Sequence, residues 1–120
     1  MKSLKIVSTG CIIAMFSIIL LLSGCSKSSS TAAPVATPGT NEVWMQNTAF
    51  KPSVKTITAG TTITWINKDN TDHDVTSLSG IFISPTMAKN ATYSFKFDSP
   101  GTYDYKCTFH IGMTGKIIVQ

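Results

Sequence analysis

From residue 61 to the C-terminus the chain alternates apolar and polar residues with a period of two. In "TTITWIN", Ile63, Trp65 and Asn67 fall on one face and Thr62, Thr64 and Ile66 on the other. "YSFKF" sets Tyr93, Phe95 and Phe97 against Ser94 and Lys96, and "TYDYKC" sets Tyr103, Tyr105 and Cys107 against Thr102, Asp104 and Lys106. "GKIIVQ" adds a last β-rich run. Successive side chains point to opposite faces of a strand, so these runs suit half-buried strands and would scatter their apolar residues around a helix. Turn-forming residues separate them at Ala59-Gly60, Lys68-Asp69-Asn70, Lys89-Asn90 and Ser99-Pro100-Gly101. The expectation is an all-β fold, a single Greek-key antiparallel β-sandwich with helix confined to a turn at most.

Ahead of the strands the chain is of another kind. Lys2 and Lys5 precede an apolar run over 12–22, broken only by Ser17. That run is short of the ~20 residues a helix needs to cross a bilayer. It ends in Leu22-Ser23-Gly24-Cys25, with small residues placed as at a cleavage site. The tetrapeptide resembles the lipobox of bacterial lipoproteins, in which the cysteine becomes the lipidated N-terminus. Residues 1–24 are therefore read as a lipoprotein signal peptide and Cys25 as the lipidation site. The stretch "SKSSSTAAPVATPGT" that follows has too little apolar surface to fold. With Cys25 it forms a tether over 25–40, its fifteen residues after the cysteine reaching on the order of 20 Å as a flexible coil. The expected location is extracytoplasmic, lipid-anchored to a bacterial membrane, in the periplasm or at the cell surface.

Residues 41–120 remain for one small domain. A core of this size is only marginally self-sufficient, and a bound metal or a cross-link would help it. No disulfide is available within the domain: Cys11 lies in the leader, Cys25 is the lipid site, and Cys107 is left over. A lone thiol in an oxidising compartment calls for a reason. Charge gives no lead to a polyanion. The formal net charge is +4, and once Lys2 and Lys5 leave with the leader, eight lysines against six acidic residues make it +2. With no arginine and no basic run, nucleic-acid binding is excluded as a function class.

The reason for the thiol lies in "CTFHIGM". Cys107, His110 and Met113 place a thiol, an imidazole and a thioether at three-residue intervals. The other histidine, His73, follows the Lys68–Asn70 turn, and a Greek-key sandwich brings distant loops to one end. Each residue alone has a plainer reading. Cys107 would be a small buried side chain, His73 a solvated turn residue beside Asp74, and Met113 a core filler as Met45 and Met87 are read to be. Yet the domain's whole supply of histidine and cysteine enters this one set. A thiolate, two imidazoles and a weak thioether match a trigonal His₂Cys copper site with an axial Met. The thioether is a poor ligand for zinc, magnesium or calcium.

"FKPSVKTITAGTTITWINKDNTDHDV", then "GIFISP", then "FDSPGTYDYKCTFHIGMTGKIIV" resemble a cupredoxin of the plastocyanin and amicyanin type over essentially all of 41–120. The specific part is a strand–turn–His element followed by G-T-Y-x-Y-x-C-x₂-H-x₂-M-x-G. The resemblance implies one type 1 copper ion held by His73, Cys107, His110 and Met113, with the short ligand loop similar to that of amicyanin. Asp74, Phe109 and Asn67 are the candidates for supporting those ligands. Three positions depart from the family pattern: Ile111 and Phe109 stand where relatives carry proline, and Asp74 where many carry asparagine. Unlike proline, Phe109 keeps a backbone N–H that can face the Cys107 sulfur. Asp74 can still join the two ligand loops by a hydrogen bond.

The function expected is that of a membrane-tethered blue-copper electron-transfer protein, a monomer cycling Cu(I)/Cu(II) between a redox-protein donor and acceptor that dock transiently. Phe109, Ile111, Gly112 and Phe82 are the expected apolar docking patch around His110. An enzyme needs an open coordination position or a second site, which two histidines do not furnish, so an electron carrier rather than an enzyme is expected. The alternative is an extracytoplasmic copper chaperone or storage protein, against which Met45, Met87 and Met113 are widely dispersed.

Overall fold

The structure, a computed structural model, describes residues 33–120. The leader over 1–24, Cys25 and the tether up to residue 32 lie outside the described residues. Residues 33–40 carry no strand and are almost all exposed. Eight strands follow: β1 (Glu42–Met45), β2 (Phe50–Lys51), β3 (Val54–Ile57), β4 (Thr61–Asn67), β5 (Thr76–Ser77), β6 (Thr92–Phe97), β7 (Gly101–Lys106) and β8 (Thr114–Val119). They form two four-stranded sheets, ordered β2-β1-β4-β6 and β3-β8-β7-β5. No helix is present among the described residues.

The sandwich expected from alternation is what forms, but its sheets are mixed rather than antiparallel. β1 runs parallel to β4 and β3 parallel to β8, while the β1–β2, β4–β6, β5–β7 and β7–β8 pairs are antiparallel. Period-two patterning fixes which face a side chain takes and is blind to the direction of the neighbouring strand. Parallel pairing needs a long crossover. Here the chain leaves one sheet after β2, contributes β3 to the other, and returns as β4.

The alternating faces are as read. Ile63, Trp65, Asn67, Phe97, Tyr105 and Cys107 are buried, whereas Thr62, Ser94, Lys96, Thr102, Asp104 and Lys106 are exposed. The core is aromatic. The Trp65 ring lies 5.5 Å from Tyr105 and 5.6 Å from Phe82, and Phe82 lies 4.9 Å from Phe95. Such pairs contribute about 0.5–1.5 kcal/mol each beyond the area they bury, which helps a domain with no disulfide to hold. Tyr105 also explains Gly115, its cross-strand partner. A Cβ at Gly115 would sit 2.2 Å from Tyr105 Cζ, so the ring occupies the space that only glycine leaves.

Three strand ends converge at one pole of the sandwich: the Asn67 end of β4, the Lys106 end of β7 and the Thr114 start of β8. The loops leaving these ends carry His73 and the 107–113 segment.

Candidate metal centre

His73 sits in the connection between β4 and β5. Its backbone exchanges two hydrogen bonds with Met87, His73 N to Met87 O at 3.1 Å and Met87 N to His73 O at 2.8 Å. Cys107 follows β7 directly, and the chain then turns back into β8 within six residues. That reversal is closed by Cys107 N donating to Met113 O at 3.0 Å and Met113 N donating to His110 O at 3.3 Å. Gly112 supplies the left-handed φ of 82° that the tight return requires.

The loops bring three donors together. Cys107 Sγ lies 3.6 Å from Nδ1 of His73 and 3.6 Å from Nδ1 of His110. The two imidazole rings are 4.6 Å apart. One ligand atom from each of His73, Cys107 and His110 lies within 4.8 Å of the others. His73 and Cys107 are buried and His110 is half-buried. Met113 is buried in the same core cluster as Cys107.

The residues behind the donors are held as firmly. Asn67 is fully buried, and its Nδ2 donates to the carbonyls of Thr71 and Met87, both at 2.8 Å. Its Oδ1 accepts from Asp69 N at 2.8 Å, so one amide pins the whole 67–73 loop. Asp74 accepts from the Thr108 backbone N–H, from the Thr108 hydroxyl at 2.7 Å and from the Thr76 hydroxyl at 2.9 Å. It therefore ties the His73 loop to the Cys107 loop, as expected of this position. Burial pushes its carboxyl up, but the hydrogen bonds from Thr108 and Thr76 outweigh that and hold it below the ordinary carboxylate range. At Cys107, burial pushes the thiol up; the backbone N–H groups of Asp74 and Phe109 act in the opposite sense, while the Asp74 carboxylate adds to the rise. A proline at 109 would lack that N–H.

Sequence reasoning missed Asp69. Its Oδ2 lies 3.0 Å from His73 Nε2, which assigns the imidazole proton to Nε2 and leaves the Nδ1 lone pair facing the sulfur. The signal was present as an acidic residue four positions before His73, but it read as part of a polar turn.

One expected docking residue is corrected. Phe82 is 3% exposed and packs on Trp65, Phe95 and Tyr105, so it belongs to the core. Apolar residues between turns fill either a core or a patch, and the aromatic neighbours that claim Phe82 come from β4, β6 and β7. Phe109, Ile111 and Gly112 are exposed beside His110, Phe109 at 52% and Ile111 fully.

Two nitrogen lone pairs, a sulfur that becomes a thiolate on metal binding, and a buried thioether form a donor set too soft for magnesium or calcium. Their convergence fits a single type 1 copper ion. The cupredoxin-like domain family matches residues 12–119. The chain belongs to that family. Amicyanin-alpha of Methylorubrum extorquens is 38% identical over 94 residues, covering 74% of this chain and 79% of its own. Plastocyanin of Scenedesmus fuscus is 38% identical over 84 residues, 59% of this chain and 86% of its own. A solved structure of the Cu(I) form of an amicyanin point mutant is 33% identical, with a TM-score of 0.64 over 73% of this chain and 88% of that one. This cupredoxin therefore shares its fold with amicyanin.

Proposed function

We propose that this cupredoxin is a one-electron carrier, tethered outside the cytoplasm by a lipid at Cys25, that exchanges electrons with redox proteins docking transiently at its His110 pole. The observation that carries the reading is the placement of two Nδ1 atoms at 3.6 Å from one buried sulfur. When bound, copper supplies the Cu(I)/Cu(II) couple. Cys107 would be the main covalent ligand, His73 and His110 the equatorial imidazoles and Met113 the weak axial one. The protein's part is stiffness. Asn67, Asp69 and Asp74 fix the ligand loops through hydrogen bonds, so that little needs to move when the charge changes.

His110 alone of the three donors reaches the surface, ringed by exposed Phe109 and Ile111. An apolar rim around the electron's exit suits brief encounters between redox proteins. A store or chaperone needs donors that release metal readily, whereas His73, Cys107 and Met113 are buried and locked by backbone hydrogen bonds. Both histidines of the chain enter this one centre, which leaves no imidazole for a second, catalytic site.

The described root of the tether is fastened to the domain. Thr40 and Asn41 border a groove with Thr58, Thr61 and Gln120, beside the ends of β4 and β8 that lie away from the donors. Glu42 fastens this root, accepting from Gly39 N at 3.0 Å and from Trp44 Nε1 at 2.9 Å.

The test is the visible spectrum of the full chain in detergent with one equivalent of Cu(II). An intense thiolate-to-copper charge-transfer band is expected, lost on reduction and absent from Cys107→Ser. Faint copper absorption alone would overturn the reading.

A further inference from the structure

The turn between β1 and β2 contains no metal-binding side chain, yet its backbone is aimed at the metal centre. Asn47 and Thr48 both have left-handed φ, 57° and 54°, and Gln46 N donates to Ala49 O across them at 2.9 Å. Two left-handed residues in succession normally call for Asn-Gly. A β-branched threonine there is strained. A turn that only joined two strands would need neither the strain nor a carboxylate.

What the conformation produces is direction. Two consecutive N–H groups converge on one carboxylate, Asn47 N to Asp69 Oδ1 at 2.7 Å and Thr48 N to Asp69 Oδ2 at 2.9 Å. Successive backbone N–H groups in such turns form an anion-receiving concavity, and here the anion is the side chain that lies 3.0 Å from His73 Nε2. The contacts reach across 21 and 22 residues of sequence. On the other side of His73, Nδ1 faces Cys107 Sγ. An unbroken line of polar contacts thus runs from the turn through Asp69 and His73 to the donor cluster.

We propose that the Asn47–Thr48 turn is a positioning element of the metal centre: it fixes the Asp69 carboxylate, and through it the orientation and donor strength of His73. The inference rests on the copper reading above. A carboxylate that accepts the outer N–H of a ligating histidine makes the inner nitrogen a stronger donor, which favours Cu(II). The two turn N–H groups draw part of that negative charge onto themselves. The turn therefore sets both where the carboxylate points and how strongly it acts, without touching the metal.

The test uses the full chain in detergent, comparing wild type with Asp69→Asn, which keeps the shape of the side chain and removes its charge. Reduction potentials are measured by redox titration, and amide resonances of the apo and Cu(I) forms by NMR. In wild type, the Asn47 and Thr48 amides are expected to shift when Cu(I) binds, more than amides at equal distance from the centre. In Asp69→Asn the potential is expected to rise and that response to disappear, while the thiolate band persists. Wild-type turn amides that ignore Cu(I) would overturn the proposal even if the variant fails to fold. An unchanged potential, or an amide response that survives in Asp69→Asn, would overturn it as well. Absence of the thiolate band from wild type is a different failure, that of the copper reading itself.

Discussion

Asp74 receives both the backbone N–H and the hydroxyl of Thr108, the latter at 2.7 Å, and so fastens the residue after His73 to the residue after Cys107 across 34 positions of sequence. Replacing Asp74 with alanine leaves three donors without their acceptor and frees the two loops from each other. Asp74→Ala is expected to lower the stability of the apo-protein by about 2 kcal/mol, the scale of losing hydrogen bonds to a charged group at a partly buried site. Urea unfolding of the reduced apo-protein measures this. Asp74→Asn keeps one acceptor oxygen and should lose less. Equal stability for wild type and Asp74→Ala would mean that the loops are held without this link.

Acid should loosen the same region. Asp69 and Asp74 both have carboxyl groups below the ordinary range. In each, burial pushes upward and is outweighed, at Asp69 by hydrogen bonds from Thr48, Asn47 and His73, and at Asp74 by those from Thr108 and Thr76. A carboxylate with a folded pKa below its unfolded value stabilises the fold fully above the unfolded value, about 3.9 for Asp, and loses that contribution as the pH falls through the folded one. The urea midpoint of the reduced apo-protein is therefore expected to fall as the pH is lowered below about 4. In Asp74→Asn the fall should be shallower. A midpoint that rises on acidification would contradict the assignment.

The elements that the sequence made legible are those with one wet face. β4, β6 and β7 alternate, and in each the face read as inward is the more buried one, with Tyr93, Phe95 and Tyr103 half-buried. β1 was not legible, because Val43, Trp44 and Met45 are all buried. It is an inner strand of its sheet, and its outward Trp44 is covered by the Lys68 ammonium 4.6 Å above the ring. A strand covered on both faces shows no period. The donors were legible because His and Cys are scarce in this chain and their spacing is chemical. Asp69 and the Asn47–Thr48 turn were not, since their part depends on a contact between segments more than twenty residues apart that no local pattern encodes.

Gly115 opens the β-rich run "GKIIVQ" and is the second residue of β8, beneath the Tyr105 ring. Gly115→Ala is expected to cost about 2–3 kcal/mol, the range for forcing a methyl group into a filled core. A smaller side chain opposite should relieve it, so the cost should shrink when Gly115→Ala is made in a Tyr105→Leu background, a coupling typical of residues in contact. Tyr105→Phe, by contrast, should be close to neutral, because the hydroxyl is buried without a hydrogen-bond partner among the described residues. Equilibrium unfolding of the four variants decides this. Additive effects of Gly115→Ala and Tyr105→Leu would show that the two positions do not collide.

The contrast between Phe82 and the residues around His110 separates folding from docking. Ile111 and Phe109 are exposed and have little packing to lose, so Ile111→Ser and Phe109→Ser should change stability by no more than about 0.5 kcal/mol. On the proposed docking reading, their loss would leave a polar rim where a partner would meet an apolar one. The second-order rate of electron exchange, measured by stopped flow with a small redox protein, is expected to drop severalfold in the double variant. Its reduction potential should stay near that of wild type if Phe109→Ser keeps the backbone N–H facing Cys107. Phe82→Ala should behave in the opposite way. It removes a ring packed among Trp65, Phe95, Phe97 and Tyr105, at a cost of about 3–5 kcal/mol, while the exchange rate of the molecules that remain folded stays unchanged. An exchange rate insensitive to Ile111 and Phe109 would place the electron's exit on another face of the protein.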